Sequence, residues 1–150
     1  MTELLPEAEF QSVRYAIDQR LTITSLSDAM ISNRIYKDRA TRYVLSRVPA
    51  YDPDNEVHVA LATEAVVLYC ASLLVFAVVD ATSIKVTARD SSYSKQAWKP
   101  EDKEKALKGE ANEVIVTLND IISGTPPSES ISQRLTTNFS SVAGNRMKLT

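Results

Sequence analysis

Apolar positions along this chain recur with a helical period in four stretches. In residues 6 to 20, PEAEFQSVRYAIDQR, Phe10, Val13, Ile17 and Leu21 step by three, four and four. That stripe predicts a first helix. Pro6 suits its opening position, and Glu7 and Glu9 suit the positive end of its dipole. LTITS reads as a short connection. A second helix is expected from near Ser25, where Ser25 and Asp28 have capping-box spacing. Ile31, Ile35, Ala40, Val44 and Val48 would form its buried face, flanked by Tyr36 and Tyr43. The opposite face carries Arg34, Lys37, Asp38, Arg39, Arg42 and Arg47, with Asp38 spaced to pair with Arg42. Pro49 and Pro53 end this helix, and Asp54 or Asn55 is placed to cap the next.

The third predicted helix, about 55 to 79, contains AVVLYCASLLVFAVV at residues 65 to 79, a run without charge, Gly or Pro. Its first two turns set Val57, Leu61 and Ala65 against His58, Thr63 and Glu64. From Ala65 onward it is apolar all round, which requires burial on every side. A chain of this size can hardly surround such a helix, so part of it is expected to lie under another copy or another protein. A membrane span is disfavoured. Spanning takes about 20 apolar residues, and Glu64 and Asp80 bound this run. No Lys or Arg between Arg47 and Lys85 orients a span.

Residues 80 to 99 change character. SIKVTA alternates apolar and polar residues and RDSS offers a turn, so a hairpin or ordered loop is expected. Tyr93 and Trp98 lie there as candidate interface anchors, or, for Trp98, as packing under the next helix. The fourth helix, about 100 to 123, opens on Pro100 with Glu101, Asp102 and Glu104 behind it. Its stripe is Leu107, Ala111, Val114 or Ile115, Leu118, and Ile121 or Ile122. Gly109 interrupts it at a cost of about 1 kcal/mol, and Gly124 is placed to close it. The last 26 residues have neither helical nor strand period. Their apolar residues stand singly, as in a segment that orders only on a partner. The expected fold is all-α: a four-helix bundle over 1–124, a loop or hairpin insertion at 80–99 between helices 3 and 4, and an extended C-terminal arm over 125–150.

Composition narrows the function. The chain has 150 residues and a net charge of -2, unlike a basic nucleic-acid binder. Three Gly leave no phosphate-binding loop. The one Cys, Cys70, permits no internal disulfide and reads as a small buried hydrophobe. MTELLPEAEF lacks the basic and apolar regions of a signal peptide, so a reducing cytoplasm is expected. The single His and single Cys are twelve positions apart, about 18 Å along a helix, too far for a dyad. Asp52, Asp54 and Glu56 lack the Gly and distal Glu of a calcium loop. No catalytic, metal or cofactor site is expected, and no enzyme. Residues 51 to 80 carry five acids and no Lys or Arg. Against the Arg face of the second helix (Arg34, Arg39, Arg42, Arg47), that segregation suits head-to-tail self-assembly.

The order VRYAIDQRL, LSDAMISNRIYKDRATRYVLSRVP, VALATEAVVLYCASLL, then a loop, a final amphipathic helix and a polar tail, resembles the head-to-tail connector, or adaptor, proteins of tailed double-stranded-DNA bacteriophages. It spans roughly residues 10 to 123. The resemblance implies a virion protein assembled in the host cytoplasm as a ring, typically of twelve copies. Such a ring sits in the neck between head and tail. It docks on the portal protein, meets a tail or nozzle/stopper protein, and extends the channel through which double-stranded DNA passes without specific binding. It also implies a portal-docking arm over 125–150, with Phe139 and Leu135 as apolar anchors and Arg134, Arg146 and Lys148 as polar contacts. Tyr93, Trp98, Arg34, Arg39 and Arg42 would face a neighbouring subunit or the tail. The alternative is a small soluble helical interaction or regulatory module without catalysis.

Overall fold

The computed structural model describes residues 3 to 78 and 98 to 124 in full, and the backbone of 83–88 and 91–96. A 3-10 turn at Glu7–Glu9 leads into α1 (Phe10–Ile17). Then come α2 (Asp28–Ile31), α3 (Lys37–Arg47), α4 (Glu56–Leu74) and, at its end, a 3-10 turn over Val75–Val78. Strands β1 (Ser83–Ala88) and β2 (Ser91–Gln96) pair antiparallel, Ser83 opposite Gln96 and Ala88 opposite Ser91. They fall inside the 80–99 segment where a loop or hairpin is expected. α5 (Pro100–Ser123) follows. The fold is helical.

The chain enters α1 through Leu5 and Phe10, which flank the Pro6 cap at hydrophobic-staple spacing and are both buried. The stripe Phe10, Val13, Ile17 and Leu21 is buried throughout. One side chain on that face is charged: Arg14 is 3% exposed. Its Nε donates to the Leu26 carbonyl at 2.7 Å and its Nη1 to Gln11 Oε1 at 3.1 Å. Nη2 pairs with Asp28 Oδ1. The 18–27 link and the start of α2 are thereby tied to α1.

The expected second helix is divided. Ser27, not Ser25, caps α2, accepting from the Met30 N–H at 3.2 Å. Ser32 and Asn33 then bond locally instead of extending the helix. Ser32 donates to the Ala29 carbonyl, and Asn33 Oδ1 accepts from the Ile35 N–H at 3.0 Å. The turn shifts the helical phase, so Ile35 is 64% exposed rather than buried. The pattern resumes in α3, where Ala40 and Val44 are buried. Asp38 pairs backward with Arg34 at 3.4 Å, not forward with Arg42, whose Nε donates to the Asp38 carbonyl.

Helix α4 is the centre of the fold, packed against α5, α1 and α3. Asn55 caps it through Oδ1, which accepts from the Val57 and His58 amides. The first turn is the reverse of the amphipathic expectation. Val57 is 51% exposed, whereas His58 is buried and its Nδ1 accepts from the Asp52 N–H at 3.1 Å. The apolar run that follows is covered largely by its own chain: Ala65, Val66, Val67, Tyr69, Cys70, Ala71, Ser72 and Leu74 are all buried. Among its described residues, Phe76 in the closing turn is the large side chain that is mainly exposed. Length and composition alone would let Glu56–Val78 cross a membrane, and more than half of its most apolar stretch is buried within the fold.

Helix α5 buries Leu107, Ala111, Ile115 and Leu118, with Val114 and Ile122 partly covered and Ile121 exposed. Gly124, at φ 69°, ends it in the left-handed conformation that glycine adopts freely. Gly109 has no such reason: a Cβ there meets nothing within 4 Å. Gly109→Ala is therefore expected to raise stability by about 1 kcal/mol, read as a higher urea midpoint at unchanged slope. An unchanged or lower midpoint would contradict the open environment of that site.

Candidate functional site

Two surfaces carry the charges that could meet a partner. The first is the outer side of α3. Arg39 and Arg42 are exposed there, and Arg34 is exposed in the turn that leads into it. Arg47 is not part of a free cationic face, because its guanidinium lies 4.1 Å over the Tyr43 ring. Tyr43 stacks on Tyr69 of α4, with ring centroids 3.8 Å apart, and donates to Asn112 Oδ1 of α5 at 2.8 Å. Asn119 of α5 donates to the Arg47 carbonyl at 2.9 Å. α3 is therefore fixed by its Tyr43 side while its Arg34–Arg39–Arg42 side remains in solvent.

Beside this face runs an open groove of about 700 Å³ between α3 and the N-terminal segment. Leu4, Leu45, Tyr51 and Pro53 form apolar walls, and Arg34, Lys37 and Arg42 stand with Glu3 and Asp38 around them. Lys37 pairs with Glu3. Burial of the Tyr51 ring pushes its phenol above the usual tyrosine range, with the neighbouring Asp52 adding to the shift.

The second surface is the acid-rich start of α4. Asp52, Asp54, Glu56 and Glu64 are all exposed. Local order there comes from the Asp52 side chain, whose Oδ1 accepts from the Asp54 N–H at 2.9 Å, and from the Asn55 cap. The same acids thus terminate a loop and start a helix while leaving their charges in solvent.

Trp98 is held by its own fold. It is half-buried against the core, and its Nε1 donates to Asp18 Oδ2 at 3.0 Å. Asp18 also accepts from Arg20 at 2.9 and 2.6 Å. Arg20 holds the Asp18 carboxyl well below the usual carboxylate range against the opposing effect of burial, and the Trp98 bond adds to the lowering. This node joins the end of α1 to the segment entering α5. The side chain of Tyr93, and the arm residues Arg134, Leu135, Phe139, Arg146 and Lys148, lie outside the described residues.

Of the candidate interface residues, the structure brings Arg34 and Arg42 to one groove and leaves Arg39 on the exposed face of the same helix, away from its lining. Trp98 is engaged with Asp18 instead of lining that groove. The groove's walls were not legible from periodicity. Leu4, Tyr51 and Pro53 come from connections, where no helical period marks a buried residue. Among the described residues no group of three His, Cys, Asp or Glu is placed to hold a metal ion. No protein-family model, curated protein or solved structure matches this chain.

Proposed function

We propose that this chain is a structural, non-catalytic subunit of a ring adaptor between a phage portal and tail, extending the DNA channel. In this reading the helices form a four-helix bundle around α4 with the 80–99 hairpin inserted. Residues 125–150 are the portal-docking arm, and the twelve-copy ring stands in the virion neck. The observation that carries it is the division of charge on the folded surface. Exposed cations lie along α3 and exposed acids lie from Asp52 to Glu64, which favours contact between one copy and the next. The resemblance in helix order supports the same reading. DNA passes such a ring without being gripped, in keeping with a net charge of -2 per chain.

A second reading is favoured by one observation. The apolar run of α4 is covered largely within a single chain, so a soluble helical interaction module that works as a monomer or dimer is also built this way. Mass measurement with and without added portal rings separates the two. Deleting residues 125 to 150 is expected to abolish portal binding while far-UV circular dichroism and the thermal midpoint stay near those of the full chain. Normal portal binding by the truncated chain would sink the arm assignment.

A further inference from the structure

The groove beside α3 is open, and its chemistry states what it would accept. Its volume of about 700 Å³ lies in the range of sites that enclose a ligand or a partner's side chains. Of the cations lining it, Lys37 is paired with Glu3 and Arg34 with Asp38. Arg42 only donates from Nε to the Asp38 carbonyl, at 3.4 Å, and has no carboxylate partner among the described residues. Its lining carries three cations and two carboxylates. A positive surplus thus stands over apolar walls. The complement is an apolar side chain flanked by carboxylates.

The chain carries that complement on its own surface. Val57 is an exposed apolar side chain in the first turn of α4, with Asp54 and Glu56 exposed just before it. No Lys or Arg occurs from 48 to 84 to neutralise them. We infer that the Asp54–Val57 turn of one copy docks into the α3 groove of a second copy. Val57 enters between the apolar walls, and Asp54 and Glu56 meet Arg42 and Arg34. Pro53 lines the groove and also leads into the turn. The inference rests on the self-assembly proposed above and assigns its contact surface. Charge complementarity of this kind sets partner choice and register more than raw affinity.

The test uses the full-length chain in sedimentation velocity over a concentration series. One variant carries Arg34→Glu and Arg42→Glu, a second Asp54→Lys and Glu56→Lys, and a third all four substitutions. Each two-site reversal is expected to weaken self-association by about a hundredfold, because like charges then face each other. The four-site variant, with the charges exchanged, is expected to return to within about tenfold of the natural chain. Circular dichroism checks that every variant is folded. A reversal without effect overturns the inference, as does a folded four-site variant that associates no better than its parents, or a natural chain that stays monomeric throughout the series. A titration with dodecanoate addresses the competing occupant. If dodecanoate binds, the Arg34→Glu/Arg42→Glu variant loses that binding and self-association is untouched, the groove serves a carboxylate amphiphile and the inference falls. Portal binding is scored separately: copies that pair through the groove but ignore a portal ring end the adaptor reading and leave this contact standing.

Discussion

Replacing Arg14 with alanine lowers folding stability by about 3 kcal/mol, measured as a shift in the urea midpoint at unchanged slope. The magnitude follows from what the side chain holds. The guanidinium is almost wholly buried, and it serves the Leu26 carbonyl, Gln11 Oε1 and Asp28 Oδ1 together. Truncation leaves the Leu26 carbonyl without this donor inside the fold, and an unmade hydrogen bond costs more than a made one contributes. It also removes an aliphatic stem from the face shared with Val13 and Ile17. The Asp28 carboxylate is half exposed, 48% for its side chain, so its share is modest and water replaces the lost partner. Asp28→Asn is therefore expected to cost about 1 kcal/mol or less. Arg14→Met, which keeps the stem, isolates the polar part of the loss. An Arg14→Ala change within about 0.5 kcal/mol of the natural chain would mean that the 18–27 link is not anchored through this residue.

Cys70 of the native protein reacts with a thiol reagent such as DTNB at least a thousandfold more slowly than an exposed cysteine. Burial sets this in two ways. The side chain has no exposure, and burial pushes its thiol up to about 12, against a small opposing effect of Lys37. An ordinary thiol titrates near 8.5, and the thiolate is the attacking species. Modification then proceeds through opening of the fold, and its rate in a urea series tracks the equilibrium between closed and open states. Cys70 sits in the C-terminal part of α4, so its protection reports the packing of the apolar run there. Fast stoichiometric labelling in the absence of urea would mean that the apolar run is accessible in the native state.

The parts of the fold that sequence reading found are those where one rule acts alone. The stripe of α1 needed only a 3.6-residue period. α5 had Pro100 at one end and Gly124 at the other, and both proved to be its limits. The Asn55 cap was one of two residues named for that role. The parts that were missed involve competition between rules. Ser32 and Asn33 were read as ordinary members of a long helix, yet their local hydrogen bonds divide it and turn Ile35 outward. Asp38 had two arginines at helical spacing, and composition cannot say which it pairs with. His58 and Val57 exchanged places because the Asp52 amide offers His58 a buried hydrogen bond. Arg14 sat on the apolar face of α1 in plain view, but its partners, Leu26 and Asp28, are distant in sequence.

The candidate surfaces divide the same way. That the second helical region is rich in arginine and the next thirty residues rich in acid was fixed by the sequence, because charge is a property of residues. Which arginines are free was decided by packing: Arg47 lies on Tyr43, whereas Arg42 stands beside a groove. The groove itself exists because Leu4, Leu45, Tyr51 and Pro53, drawn from three separate stretches, meet at one place. Helical content was determined locally, since hydrogen bonds between residues four apart and the spacing of apolar side chains are local matters. The cover over the α4 run was not a local matter. How much of it its own chain covers depended on the surface that α1, α3 and α5 bring to it, and the tertiary structure decided that share, because burial is a sum over neighbours that no single stretch of sequence contains.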